Sequence, residues 1–246
     1  MRLSCPSTVI DDLRDRIRGI EAYRPRAGER DTISTGFPAL NRLLAGGGLP
    51  RGTLAEWTGD ADGSGAVTLA LAITGHLLRG EGTLVVIDER GDFYPVGAAQ
   101  LAIPLDRTAV VRPDSPKSAL WAWEQSLRCP GVAVTFGKID PRNDRALRRL
   151  QMAAETGGGL GFLVPPPGSP GTPWAATRIQ VEAVSGAPHA EREGYDLGRR
   201  LSVRVIRGQA GGREAATELE LSHEASAVSA AAELAGAMAL RRPAVG

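Results

Sequence analysis

The segment Gly59-Asp60-Ala61-Asp62-Gly63-Ser64-Gly65-Ala66-Val67 carries the spacing nearest to a reactive site in this chain. A phosphate-binding loop of the pattern G-x-x-x-x-G-K-[ST] joins a strand to a helix. Its backbone N–H groups and the helix N-terminus receive phosphate, the lysine neutralises the phosphoryl group in transfer, and the hydroxyl holds magnesium. Here a predicted strand, Thr53 to Trp57, precedes the loop and a predicted helix follows it, so the context is right. The side chains are not. Counted back from the helix, Gly65 falls on the second glycine, Ala66 on the lysine and Val67 on the hydroxyl. Gly59 lies one residue too far upstream, and Asp60 and Asp62 bring negative charge that repels a polyphosphate. Thr68 has a hydroxyl, but from a helical position turned about 100° away. A nucleotide would meet Gly59, Gly63, Ser64, Gly65, Ala66, Val67 and Thr68; the expectation is that none binds and that no cofactor is used.

The carboxylate that would organise a metal is also missing from its usual place. The apolar run Val132 to Phe136 leads into Gly137-Lys138, with Asp140 beyond it. Asp88-Glu89-Arg90, after the run Thr83 to Ile87, offers carboxylates with no bound phosphate to act on. Cys5 and Cys129 have no partner at metal-ligand spacing, and His76, His189 and His223 are scattered, so no metal site or disulfide framework is expected. Arg142, Arg145 and Arg149 recur at three and four residues, one stripe of a helix, with Arg148 beside it and Lys138 upstream. Such a stripe suits sequence-independent contact with phosphates. A solvated helix face is the alternative, because Lys117 and Lys138 are the only lysines in an arginine-rich chain. Trp121 and Trp123 stand two apart on a predicted helix and cannot face the same way. One belongs to the core; the other is a candidate interface anchor.

The elements that must position these residues alternate between strand and helix. Ile10, Leu13, Ile17 and Ile20 form the apolar stripe of an N-terminal helix that either packs on its own domain or docks on a neighbour. A polar stretch from Arg24 to Asp31 follows. Helices are predicted at Phe37–Leu44, Ala66–Leu78, Pro95–Leu101, Lys117–Arg128 and Arg142–Glu155, with Ser115-Pro116 as a start signal for the fourth. Between them the runs Thr83–Ile87 and Val132–Phe136 have the length and apolar character of strands buried on both faces, and Thr108–Arg112 and Leu160–Val164 are further strands. That order means an α/β fold, a mostly parallel twisted sheet with helices on both faces. Past the loop Pro165–Pro173, the segments Thr177–Val184, Leu201–Ile206 and Thr217–Leu221 alternate polar and apolar, so the sheet is expected to end in antiparallel strands at its C-terminal edge. From Glu224 the chain is alanine-rich and helix-prone, and either docks a partner, with Leu234 and Met238 as candidate contacts, or is a frayed tail. The expected domains are a helix and linker at 1–30, a core at 31–222 and a tail at 223–246. A composition of 42% hydrophobic and 23% charged residues, with no apolar run of 18 residues, places the chain among globular proteins of the cytoplasm.

The series Ile33-Ser34-Thr35-Gly36, Leu40, Gly46-Gly47-Gly48-Leu49-Pro50, Gly52, Glu56 and Gly59 resembles the opening of the core domain of RecA recombinases. Ile87-Asp88 through Tyr94-Pro95, then Arg112-Pro113-Asp114 and Ala119-Leu120, continue the resemblance in order over roughly residues 33 to 165. The runs Ala119–Arg128 and Leu147–Glu155 look like the ImuA family, RecA-like accessory proteins of the bacterial inducible (SOS) mutagenesis cassette. Resemblance implies a RecA-like P-loop NTPase core and a docking role for the N-terminal helix. It also implies a non-catalytic adaptor in SOS-induced translesion DNA synthesis, associated with the nucleoid. The implied partners are an inactive Y-family polymerase homologue and an error-prone C-family DNA polymerase, with RecA, a second copy or DNA as further candidates and no membrane. A DNA-dependent ATPase, or a DNA-binding filament protein, is the alternative. The segment after Val132–Phe136 is shorter than the DNA-contacting loop of RecA, and the Pro165–Pro173 loop lacks charge where RecA has its second one.

Overall fold

A computed structural model describes residues 31–139, 144–184, 199–210, 215–221 and 228–230. The N-terminal stripe Ile10, Leu13, Ile17 and Ile20, together with Arg142, Leu234 and Met238, lies outside the described residues. The chain enters through strand β1 (Thr32–Ile33), helix α1 (Pro38–Leu43) and β2 (Leu49–Pro50); β1 and β2 form a small antiparallel ribbon. Then follow β3 (Leu54–Thr58), α2 (Ala66–Leu77), β4 (Thr83–Ile87), α3 (Pro95–Gln100), β5 (Thr108–Val111) and α4 (Pro116–Arg128). The remaining elements are β6 (Val132–Lys138), α5 (Asp144–Gly157), β7 (Leu160–Val164), β8 (Thr177–Ala183), β9 (Arg199–Arg207), β10 (Ala215–Leu221) and β11 (Val228–Ala230).

Among the described residues, nine strands make one sheet in the order β11-β10-β9-β8-β3-β7-β6-β4-β5. The six strands from β8 to β5 are parallel, and β9, β10 and β11 add antiparallel at the far end. Two details correct the sequence reading. The first of the alternating segments, β8, runs parallel to β3, because the long Pro-rich connection returns the chain to the same end of the sheet. Val228–Ala230, inside the segment expected to be helical, pairs with the otherwise open edge of β10.

Side chains alternate between two cores, as the pleat requires. Leu84 and Val86 of β4 face one cluster with α1, α2 and α3; Val85 and Ile87 face the other with α4 and α5. In β6 the alternation slips once: Thr83 pairs with Val132 and Leu84 with Val134, so Ala133 is the extra residue of a bulge. That slip lets Val132 pack on the α4–α5 side while Val134 and Phe136 pack on the α2 side. Trp57 and Phe162 meet edge to face at 5.2 Å between ring centroids in the α2-side core. Beyond β3 the α4–α5 layer stops. Gln180, Glu182, Arg204 and Glu218 are accordingly the less buried members of their strands, opposite Val181, Val203, Val205 and Leu219.

Candidate functional site

The C-terminal ends of β3, β4, β6 and β7 open into a cleft of about 1420 Å³. In parallel α/β sheets this is the end where ligands collect. The loop between β3 and α2 forms its floor. Gly65 caps α2 with φ at +97°, and a Cβ there would lie 2.4 Å from Cδ2 of Leu201. Gly59 is held just as tightly, since its Cβ would lie 2.0 Å from Oγ of Ser64. Gly63 has φ at +83° and no atom within 4 Å of a Cβ. Two of the three loop glycines are therefore explained by packing inside the chain. Ala66 and Val67 are the first two residues of α2, and neither side chain carries an ammonium or a hydroxyl. Val67 and Thr68 line the cleft together with Asp62 and Ser64, while Asp60 accepts a 3.1 Å hydrogen bond from Gln180.

Two carboxylates at the mouth, Asp88 and Asp92, are engaged. Asp88, at the end of β4, is 4% exposed. Its Oδ1 accepts from the backbone N–H of Asp92 at 3.0 Å, and its Oδ2 meets Nε of Arg112 at 3.3 Å. Asp92 in turn pairs with Lys138 at the end of β6. His76 on α2 and Arg79 just past its end border the same cleft. Burial, reinforced by the Arg79 charge, holds the His76 imidazole below its ordinary value. The wall from β7 is Val164-Pro165-Pro166-Pro167, which is apolar and carries no donor side chain. Among the described residues no group of three or more His, Cys, Asp or Glu side chains could hold a metal ion.

The family model of the RecA N-terminal domain matches residues 23–139. The core is RecA-like. Protein ImuA of Caulobacter vibrioides is 33% identical over 137 residues, covering 54% of this chain and 56% of that protein. Protein RecA of Deinococcus radiodurans is 34% identical over 133 residues, covering 54% of this chain and 34% of its own length. Protein RecA of Caulobacter vibrioides is 31% identical over 137 residues, covering 56% and 36%. The chain thus spans about half the length of the ImuA relative and about a third of the RecA relatives.

Within this RecA-like core the proposed loop residues Gly59, Gly63, Ser64, Gly65, Ala66, Val67 and Thr68 gather at one cleft. The cationic residues do not gather. Lys138 lies in the cleft against Asp92, whereas α5 packs on the other face of the sheet. On α5, Arg145 is exposed, Arg148 lies 5.5 Å over the Trp174 ring, and Arg149 pairs with Glu124 of α4. Trp123 is fully buried and Trp121 is 64% exposed, so the two indoles point apart as their spacing demands.

One constellation escaped the sequence reading. Glu56, on β3, is 1% exposed and binds Nε of Arg178 on β8 at 2.8 Å. The same Oε2 accepts from the backbone N–H of Thr172 at 3.3 Å, and Oε1 is buried with no partner among the described residues. Arg207 donates to the carbonyls of Thr172 and Pro173 at 3.1 and 2.8 Å. The end of the Pro-rich segment is thereby tied to β3 through Glu56 and to β9 through Arg207. Glu56 lies 116 and 122 positions from Thr172 and Arg178, and only a charged residue inside the apolar strand Leu54–Thr58 hinted at the pairing. Among the described residues no helix is long and apolar enough to cross a membrane.

Proposed function

We propose that this chain is a non-catalytic RecA-fold adaptor of a DNA-damage-inducible mutagenesis system. The observation that carries the reading is the start of α2, where apolar Ala66 and Val67 occupy the two positions from which a phosphate loop supplies its lysine and hydroxyl. Asp60 and Asp62 in the loop, and the pairing of Asp88 with Arg112, support it further. Without a bound phosphate, the RecA-like core contributes surfaces rather than turnover. Similarity to ImuA supports the cellular setting. The partners proposed are the mutagenic polymerase complex, made of an inactive Y-family polymerase homologue and an error-prone C-family polymerase. Contact with DNA through Arg145, Arg148 and Arg149 is electrostatic and sequence-independent in this reading.

Deletion of the gene is expected to abolish damage-induced mutagenesis while homologous recombination stays at its normal frequency. Unchanged mutagenesis overturns the proposal. With purified protein, no DNA-stimulated release of phosphate from ATP is expected. Release that disappears in the Asp88→Ala, Glu89→Ala double variant would instead establish an ATPase with a displaced site.

A further inference from the structure

Helices α4 and α5 present a surface whose chemistry differs from the cleft and which shares Arg149 with the DNA contact proposed above. Near the N-terminal end of α4, Pro116, Lys117, Leu120, Trp121 and Arg149 line a hollow of about 370 Å³. Trp121 is 64% exposed, and Met152, on α5, is 56% exposed. An indole left in water on a helix whose other indole, Trp123, is fully buried is not needed for packing. Apolar floor and rim come from Pro116, Leu120 and Trp121; the two charges in the lining, Lys117 and Arg149, are both positive.

The acids around this face are already matched inside the chain. Glu124 is held beneath Arg128 and Arg149, the first at 2.8 Å. Asp114 accepts from Oγ of Ser118 at 2.7 Å in the cap of α4. Arg149 is a five-donor group with its side chain 64% exposed, so its pairing with Glu124 leaves outward N–H groups. Arg145 stands one turn before Arg149 on the same face of α5. Lys117 sits in the first turn of α4, where the helix dipole adds to the attraction for carboxylates.

We infer that the Trp121 hollow is a docking site for a short acidic peptide segment of a partner protein, which seats one apolar side chain against Trp121 and sets its carboxylates against Lys117 and Arg149. Exposed tryptophan and arginine around a small apolar pocket are the side chains that concentrate binding energy at protein interfaces. The lining favours a peptide over a nucleic acid. A phosphate backbone has no use for the apolar floor of Pro116 and Leu120. The inference stands on this surface and not on the mutagenesis reading, because its readout is binding and not mutation frequency.

A random twelve-residue peptide library displayed on phage and selected on the immobilised full chain tests it. Expected are sequences enriched in Asp and Glu flanking a Leu, Phe or Trp, whose synthetic versions bind at least tenfold more weakly to Trp121→Ala and to Lys117→Glu. Both side chains are exposed, and the circular dichroism of each variant should match the parent. A library that yields no such sequences, or peptides that bind Trp121→Ala as they bind the parent, overturns the assignment. Two further results overturn it by naming another occupant. One is a thymidine oligonucleotide that binds the parent and is lost in Trp121→Ala; the other is self-association in sedimentation that the same substitution abolishes.

Discussion

Leu201 packs so closely on Gly65 that the loop's second glycine serves the fold whether or not a phosphate is bound. A methyl group there meets both a left-handed backbone and a side chain 2.4 Å away. Gly65→Ala is therefore expected to cost about 3 kcal/mol, summing strain and overpacking. Gly63→Ala meets the backbone penalty alone and should cost about 1 kcal/mol; urea denaturation of the two variants measures the difference. Equal losses would show that Leu201 yields freely. Glu56 makes a second case at this scale. Glu56→Ala leaves Arg178, whose side chain is 21% exposed, without its carboxylate. Breaking a pair of this kind costs about 3 kcal/mol. The loss should be accompanied by faster amide exchange at Thr172, whose N–H loses its acceptor. If exchange there is unchanged, the ion pair does not anchor the Pro-rich segment.

Helices α4 and α5 are joined by Glu124, which Arg128 grips from its own helix and Arg149 from the next. Burial raises the Glu124 carboxyl, but the hydrogen bond from Arg128 and the charge and hydrogen bond of Arg149 outweigh it and hold the group below its ordinary value. The unfolded chain therefore binds this proton more readily than the folded one. Stability from the group is complete above its unfolded value of about 4.3 and is lost as the pH falls through the lower folded value. Thermal unfolding between pH 6 and pH 3 should show a steeper acid loss in the parent than in Glu124→Gln. Parallel curves would mean that the latch contributes nothing. The start of α4 was legible from Ser115-Pro116 because capping is local chemistry: Ser115 accepts from the backbone N–H of Ser118 at 3.2 Å. Glu124 and Arg149 are 25 residues apart, and no periodicity of either helix announces their meeting.

For the whole molecule, the adaptor reading predicts that the cleft stays indifferent to nucleotide. Calorimetric titration with magnesium-ATP should show no saturable heat up to millimolar concentration; a micromolar Kd would return the loop to service as a nucleotide site. The sequence by itself determined the alternation of elements, down to the bounds of Thr83–Ile87 and Leu160–Val164. Hydrophobic period, glycine stops and caps are short-range signals, so strands buried on both faces and amphipathic helices declare themselves. It also determined that Trp121 and Trp123 point apart and that Ala66 and Val67 open α2 without charge or hydroxyl. Only the tertiary structure decided that β8 joins parallel to β3, that Lys138 answers Asp92 in the cleft, and that Glu56 and Arg178 bury a shared charge. Those pairings cross 46 to 122 residues of chain, and which of many possible partners meets which is a matter of sheet order and register, not of local pattern.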